Sequence, residues 1–577
     1  MRILLAVLLL LGGATLALLP PRAVVVPPSP DVAPPLRGVL HVHTNLSDGT
    51  GTKDDVAAAA GRAGLSFVIF TDHGDGTRAP DAPVYRSGVL CIEGVEISTD
   101  GGHVIALGLP PAPYRLGGAT RDVLEDVTRL GGFSVAAHPQ SMQPSLRWTA
   151  GDTGFDGVEW LNWDSEWRDE PVASLARAFL TYWIRPAESL ASLLDHPDTA
   201  LALWDRALQD RVVVGLAGAD AHARIGLRQM GEPYDGRPVA RLPGYESVFR
   251  TSSIGLPGTR LTGQALDDAG TVLSAIRAGR VVSIVDGLAT GAWLEFSGAS
   301  GRHQVEQGSV LPLDGPVVLR ARAPALAGAR MRLLRDGREI AAQDAGAPMR
   351  EQQPSEPGTY RVEVDLATPR GTSVPWLMSN PIYAGRQPTA QPPPASSSSP
   401  GPRVPLYADG DALEWTIERS ARADGRVEAV KAVGGMQLTV RFALGGVQTE
   451  HPYVAAARRV TSPAGLTSLV FTGRSSRPMR VSVQLRASDG GAGRRWTRSV
   501  YLDESTRRVA LRLDEFLPAG HEAPVNLAAV DAVLFVVDSL NTALGSNGQF
   551  WLDDLAFEGP DGPATTPARP SRPNGQQ

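Results

Sequence analysis

Histidine and carboxylate residues recur at the ends of successive apolar runs in the N-terminal half of this chain, and that recurrence limits what it can fold into. The pattern begins at Arg37–Asp48, Arg-Gly-Val-Leu-His-Val-His-Thr-Asn-Leu-Ser-Asp. The run Val39–Val42 reads as a short buried strand, and period-two alternation places His41 and His43 on one face. Asp48 lies in a Ser-Asp-Gly-Thr-Gly turn that can fold its carboxylate back over the strand end. Two imidazoles and a carboxylate on one edge begin a transition-metal site. Taken alone, the pair is equally explained as two strand histidines, one buried and one exposed.

The pair is not alone. Ser66–Phe70 ends in Thr71-Asp72-His73. Val89–Ile97 carries Glu93 and Glu96, and a Gly-Gly turn then leads to His103–Leu107. Gly132–Ala137 ends in His138-Pro139, and Arg211–Ala217 ends in Gly218-Ala-Asp220-Ala-His222. Between His41 and His222 only His196, in Asp195-His196-Pro197, stands outside the pattern and reads as a loop residue. In a (β/α) barrel, the same end of successive strands is one face, where an active site is built.

His-x-His with a following Ser-Asp-Gly, then Thr-Asp-His, Glu-Ile-Ser-Thr, Ala-His-Pro and Asp-Ala-His, in this order, resembles the PHP (polymerase and histidinol phosphatase) superfamily of metal-dependent hydrolases. The resemblance spans roughly residues 36–284 and implies a distorted (β/α)7 barrel with two or three divalent transition metal ions. Mixed imidazole and carboxylate ligands suit zinc, manganese or iron. Carried over residue by residue, the family arrangement implies a first site from His41, His43, Glu96 and Asp220. A second would use Glu96 as a bridge with His103 and His138, and a third Asp48, His73 and His222. His103 fits least well, because its Gly-Gly-His-Val setting also suits a supporting or core histidine. Asp72 and Glu93 read as orienting or structural acids. The implied chemistry is hydrolysis by a metal-bridging hydroxide, with Asp220 in the catalytic set; Arg147 and Arg224, just after the last two metal motifs, are candidates by position for stabilising anionic charge.

Family substrates include phosphomonoesters, nucleotides and 5′ nucleic-acid ends. The order of a PHP barrel before a small β domain is similar to the carbaryl-hydrolase-like branch, which cleaves carbamates. The expectation is therefore an exported phosphoesterase for small phosphate esters or nucleotides. The alternatives are a carbamate, amide or ester hydrolase with the same metals, and a non-catalytic glycan-binding surface protein.

The remaining sequence sets the expected organisation. Met1-Arg2, the apolar Ile3–Leu19 and a proline-rich run make 1–35 a signal peptide or an uncleaved membrane anchor, placing the protein in the periplasm or outside the cell. The barrel should occupy 36–287, with helices at 54–63, 121–130, 173–194 (broken at Pro186), 199–208 and 269–278. Arg224–Pro257 is an irregular insertion whose Arg228, Arg237, Arg241, Tyr245 and Arg250 are either substrate contacts or solvated loop residues. Short alternating runs and the Asp336-Gly337 turn make 288–385 an immunoglobulin-like β sandwich. A Pro/Ser linker, 386–403, precedes an all-β stretch, 404–558, that resembles galactose-binding-like jelly rolls. There Trp415, Trp496, Tyr501 and Trp551 are candidates for stacking on a glycan or for the core, and 559–577 reads as a disordered tail. A net charge of −6 over 577 residues gives no footprint for a stable nucleic-acid partner. The single cysteine, Cys91, excludes an internal disulfide and reads as a small buried hydrophobe.

Overall fold

The computed structural model describes residues 16–560, apart from 153, 225–239, 369–370, 387–400, 408–409, 411, 433–434, 447–450, 489–492 and 521–522. Most of the N-terminal apolar stretch, Arg228, Arg237, most of the Pro/Ser linker and the tail from 561 lie outside the described residues. The chain is multidomain and mostly β. It divides into two compact units, Met1–Ala112 with Leu116–Ala390, and Gln391–Gln577 with Pro113–Arg115. Among the described residues, no helix is long and apolar enough to cross a membrane.

In the first unit the apolar runs become β1 (Leu36–Val42), β2 (Phe67–Phe70), β3 (Val89–Thr99), β4 (Gly102–Leu107), β5 (Phe133–Ala136), β6 (Gly157–Asn162) and β7 (Val214–Gly218). These strands pair in that order, parallel except that β4 is antiparallel to β3 and β5. The row closes on itself. Ala219 N donates to Leu40 O at 2.9 Å and His43 N to Ala221 O at 3.0 Å, so β7 is joined to the end of β1. The start of β1 instead pairs antiparallel with β8 (Ser253–Leu256), which pairs in turn with β9 (Val282–Ile284). Close approach is built in at Gly38, where a Cβ would overlap the Phe67 ring.

Helices follow the strands. α1 (Lys53–Arg62) starts at a capping box in which Thr52 Oγ1 accepts from Asp55 N and Asp55 accepts from Thr52 N. It buries Val56, Ala57, Ala59 and Ala60. α2 (Thr120–Arg129) buries Val123, Leu124 and Val127. α3 (Trp163–Arg168), capped by the Asn162 side chain, was not anticipated and follows β6 directly. The expected long helix splits, as Pro186 requires, into α4 (Val172–Tyr182) and α5 (Pro186–Ala191). α6 (Asp198–Ala207), α7 (Tyr245–Phe249) and α8 (Ala265–Arg277) complete the set used below.

The segment after β9 is a β sandwich whose two layers have different affiliations. Glu295–Ser300, His303–Glu306, Val317–Arg322 and Met349–Gln353 form a separate four-stranded sheet. The opposing layer continues the sheet of the ring, because β9 pairs antiparallel with Ser373–Ser379. Asn380 clasps β7 as well, exchanging hydrogen bonds with Gly215 at 2.7 and 3.0 Å. Ring and sandwich thus lie in one unit. At the Asp336-Gly337 turn both residues have positive φ, 50° and 77°, as a two-residue hairpin demands. The second unit is a β sandwich of two six-stranded antiparallel sheets. Leu438, Val440 and Phe550 from one sheet share a core with Val481, Val483 and Phe535 from the other.

Candidate metal centre

All nine candidate donors meet at the end of the ring where β1 and β7 are joined. Glu96, on β3, is the hub. Its Oε1 lies 2.8 Å from His103 Nδ1 and 2.9 Å from His138 Nε2. Its Oε2 lies 3.2 Å from His41 Nε2, 3.1 Å from His43 Nε2 and 3.4 Å from His73 Nδ1. Asp220 Oδ1 approaches His41 Nε2 at 3.3 Å and His43 Nε2 at 3.5 Å. Asp48 Oδ1 faces His222 Nε2 at 3.3 Å, His43 Nδ1 at 3.4 Å and His73 Nε2 at 3.8 Å. Four overlapping groups result: His43, Asp48, His73 and His222; His41, His43 and Glu96; His41, His138 and Asp220; His73, Glu96 and His103.

These residues fit metal ions. His41 and Glu159 meet at 2.7 Å through Nδ1, and an Nδ1–H donated to that carboxylate leaves the lone pair of Nε2 pointing at Glu96 and Asp220. The Nε2 atoms of His41 and His43 are buried and make no acceptable hydrogen bond, despite carboxylate oxygens nearby. Nitrogen lone pairs and carboxylate oxygens repel unless a cation sits between them. Ligand atoms about 2.1 Å from a shared ion lie about 3.0–3.4 Å apart, close to most of the separations here. With protons as the only cations, burial opposes charging of His43, yet Asp220 and Glu96 push it up to about 10. Burial raises the Glu96 carboxyl, but His73, His41 and His103 outweigh it and hold it well below the usual range.

The backbone is strained where the donors are held. His41, His138 and Asp220 have φ of 64°, 33° and 40°. Such conformations cost on the order of 1 kcal/mol or more each and persist where surrounding structure enforces them. At His41 the strain coincides with a register shift between Leu40 and Val42 against β2. Regular alternation, the basis for placing His41 and His43 on one face, is therefore interrupted. An irregular strand end aims both rings inward.

A ring of supporting contacts holds this geometry. Asp72 accepts from Thr44 N and Thr44 Oγ1, both at 2.7 Å, and from Ser47 Oγ at 2.6 Å, fixing the turn that presents Asp48. Glu159, not singled out from sequence, is fully buried on β6. Besides His41 it accepts from His138 N at 2.8 Å and Asn162 Nδ2 at 2.8 Å. Its signal was a lone acid inside the apolar run Gly157–Asn162. The stretch expected to be irregular instead carries α7 and β8, and from the first residue of α7 Tyr245 donates its hydroxyl to His43 O at 2.8 Å and accepts from Gly51 N at 3.1 Å. Glu93 instead serves the periphery, pairing with Lys53 and Arg78.

The arginines divide. Arg147 Nε donates to Ser141 O at 2.9 Å, turned onto backbone. Arg224 Nη1 donates to Asp48 O at 3.2 Å and lines a narrow cleft with Trp163, Trp167, Asp220 and His222. Arg168, not singled out from sequence, is bound by both oxygens of Asp164 and stacks on Trp167, with 4.6 Å from its guanidinium carbon to the ring centroid. Burial disfavours its charge, but Asp164, Asp220 and Asp48 overcome that. A separate cavity of about 230 Å3 opens beside His73, with Leu46, Val95 and Leu109 among its walls.

One buried acid near this region makes stability depend on pH. Burial, reinforced by Asp169, pushes the Glu166 carboxyl on α3 up to about 8 from an ordinary 4.5. Between those values the folded state keeps a proton that the unfolded chain has lost, so stability falls as pH rises through the window. Glu166→Gln should match the parent near pH 5 and exceed it above pH 8, by at most about 4 kcal/mol. Thermal unfolding of both proteins across that range checks this; a constant gap between them contradicts it.

No protein-family model matches the chain, and no curated protein matches it. Among solved structures it is similar to the Family 11 carbohydrate-binding module of cellulosomal cellulase Lic26A-Cel5E of Clostridium thermocellum, at 16% identity and a TM-score of 0.24, covering 28% of this chain and 97% of the module. A family 30 carbohydrate-binding module matches at 12% identity and a TM-score of 0.21, covering 27% of this chain and 97% of that one. An exo-beta-agarase matches at 12% identity and a TM-score of 0.20, covering 27% and 25%. Likenesses this distant assign no function.

Proposed function

We propose that the chain is an exported metal-dependent hydrolase of PHP type, acting on small phosphate esters or nucleotides. The observation that carries this reading is the single carboxylate of Glu96 set among five imidazoles, two of which turn unbonded nitrogens toward it. The order of the sequence motifs around the ring supports the same family. Zinc, manganese or iron bound by the nine donors would polarise a phosphoryl or acyl oxygen and lower the pKa of water. The chain's own residues do the rest. Glu159 fixes the tautomer and orientation of His41, and Asp72 holds the turn that carries Asp48. Arg224 and Arg168 bring positive charge to the side of Asp220 and Asp48, which favours a substrate with anionic oxygens.

Leu46, Val95 and Leu109 beside His73 favour the competing class, a neutral carbamate, amide or ester. Aryl phosphates, bis-aryl phosphates and nucleotides, assayed against aryl carbamates and acetates with added manganese or zinc, separate the two. The expected outcome is phosphate turnover that Asp220→Ala abolishes. Carbamate turnover without phosphate turnover would reverse the ranking, and inertness toward both classes at full metal occupancy would end the enzymatic reading.

For the C-terminal unit we infer glycan binding, and a non-catalytic glycan-binding role for the whole chain is the reading left if the assay fails. Trp415 and Trp496 are core residues, whereas Tyr501 and Trp551 are half-buried. Trp551 lies on a sheet face with Arg474, whose guanidinium is 3.7 Å from the ring centroid, and the Arg441–Gln549 pair. An aromatic ring among polar side chains suits a neutral sugar.

A further inference from the structure

We propose that the outer face of α4 rests on a lipid bilayer. This helix is turned inside out relative to one facing only water. The residues it buries are Ala178 and Thr181, and the Thr181 hydroxyl is spent on Ser189 Oγ at 2.8 Å. Its large apolar residues point outward: Val172 is 82% exposed, Phe179 55% and Leu180 43%, and in the turn that follows Trp183 is 65% and Ile184 52%. Their spacing puts them on one helical face, the stripe that a surface helix ordinarily buries. A contiguous apolar patch of this kind marks a surface that something covers.

Two observations say what covers it. The first is where the N-terminal sequence arrives. Residues 3–15 read Ile-Leu-Leu-Ala-Val-Leu-Leu-Leu-Leu-Gly-Gly-Ala-Thr, and the described chain begins beside α4 with Leu16, itself 66% exposed. Arg177 Nε donates to Leu18 O at 3.1 Å, and the Arg185 guanidinium donates to Pro20 O. Leu18, near the end of that apolar stretch, is therefore tied to the helix that exposes Val172, Phe179 and Leu180. A lipid-seeking segment fastened there brings α4 to the same surface. The second is composition. Trp183 sits between Phe179 and Tyr182, with ring centroids 6.2 and 5.7 Å away, and Arg177 and Arg185 border the group. Aromatic and branched apolar residues edged by arginine suit the bilayer interface, where rings lie at headgroup depth.

The test uses the full chain with its one cysteine removed, Cys91→Ser, and a fluorophore on Phe179→Cys or, as control, on Leu266→Cys, which is 74% exposed on α8. Both positions are solvent-facing, so neither change disturbs the core. With the protein bound to phosphatidylcholine–phosphatidylglycerol vesicles, nitroxide lipids labelled near the headgroup should quench position 179 about twofold or more and leave 266 unaffected. A label at 179 that iodide reaches freely while the protein sediments with vesicles overturns the proposal. Shielding from iodide without nitroxide quenching also overturns it, and shows the patch covered by residues 3–15 or, where it varies with protein concentration, by a second copy. None of these readings depends on hydrolytic activity.

Discussion

Glu96→Gln should leave a folded chain whose metal affinity and hydrolysis are both reduced at least about a hundredfold, since loss of even an outer partner of a metal ligand costs 10–100-fold. Glutamine keeps the volume but removes the one charge that five imidazoles share, and it turns an N–H toward nitrogens that present lone pairs. Asp220 reaches His41 and His43, two of the five, and so does not replace that charge in full. Competition with a chelator gives the affinity, and assay at saturating metal separates weak binding from lost chemistry. Parent-like affinity in the variant would show that Glu96 is not the hub.

The second large effect comes from Gly218, which is not itself a candidate donor. A Cβ added at Gly218 would overlap the Glu159 carboxylate, which receives His41, His138 N and Asn162. Gly218→Ala should push that carboxylate out of place, costing about 10–100-fold in metal affinity. It should also cost about 3–5 kcal/mol in stability, the usual penalty for leaving a buried charge without its partners. Glu159→Gln, which keeps the shape and removes the charge, should share the loss of affinity with a smaller loss of stability. If Gly218→Ala binds metal and melts as the parent does, Glu159 does not position His41.

How much of this was legible in sequence follows from the range of each interaction. The donors were visible because imidazoles and carboxylates at strand ends stand out against apolar runs, and the structure brings all nine together. The break at Pro186 and the turn at Asp336-Gly337 were visible because proline and positive-φ residues act locally. The irregularity at His41 was not, since it arises from pairing with β7, far along the chain. Glu159 and Arg168 were not legible because a lone acid in a strand, or an arginine in a short tryptophan-rich helix, has the same local signature on any surface. The pairing of β9 with Ser373–Ser379 was hidden for a related reason: strand periodicity says which face is apolar, not which edge finds a partner. The helix that becomes α4 was legible, but the outward direction of Val172, Phe179 and Leu180 was not, because periodicity cannot tell a buried face from one that meets lipid.

On the function proposed above, nine side chains from His41 to His222 form one transition-metal centre. Elemental analysis of the purified full chain, beside a His41→Ala, His43→Ala double variant, tests it most directly. The parent should hold two or three zinc, manganese or iron ions per chain, and the variant at most a residual ion. Equal, substoichiometric metal in both would contradict it.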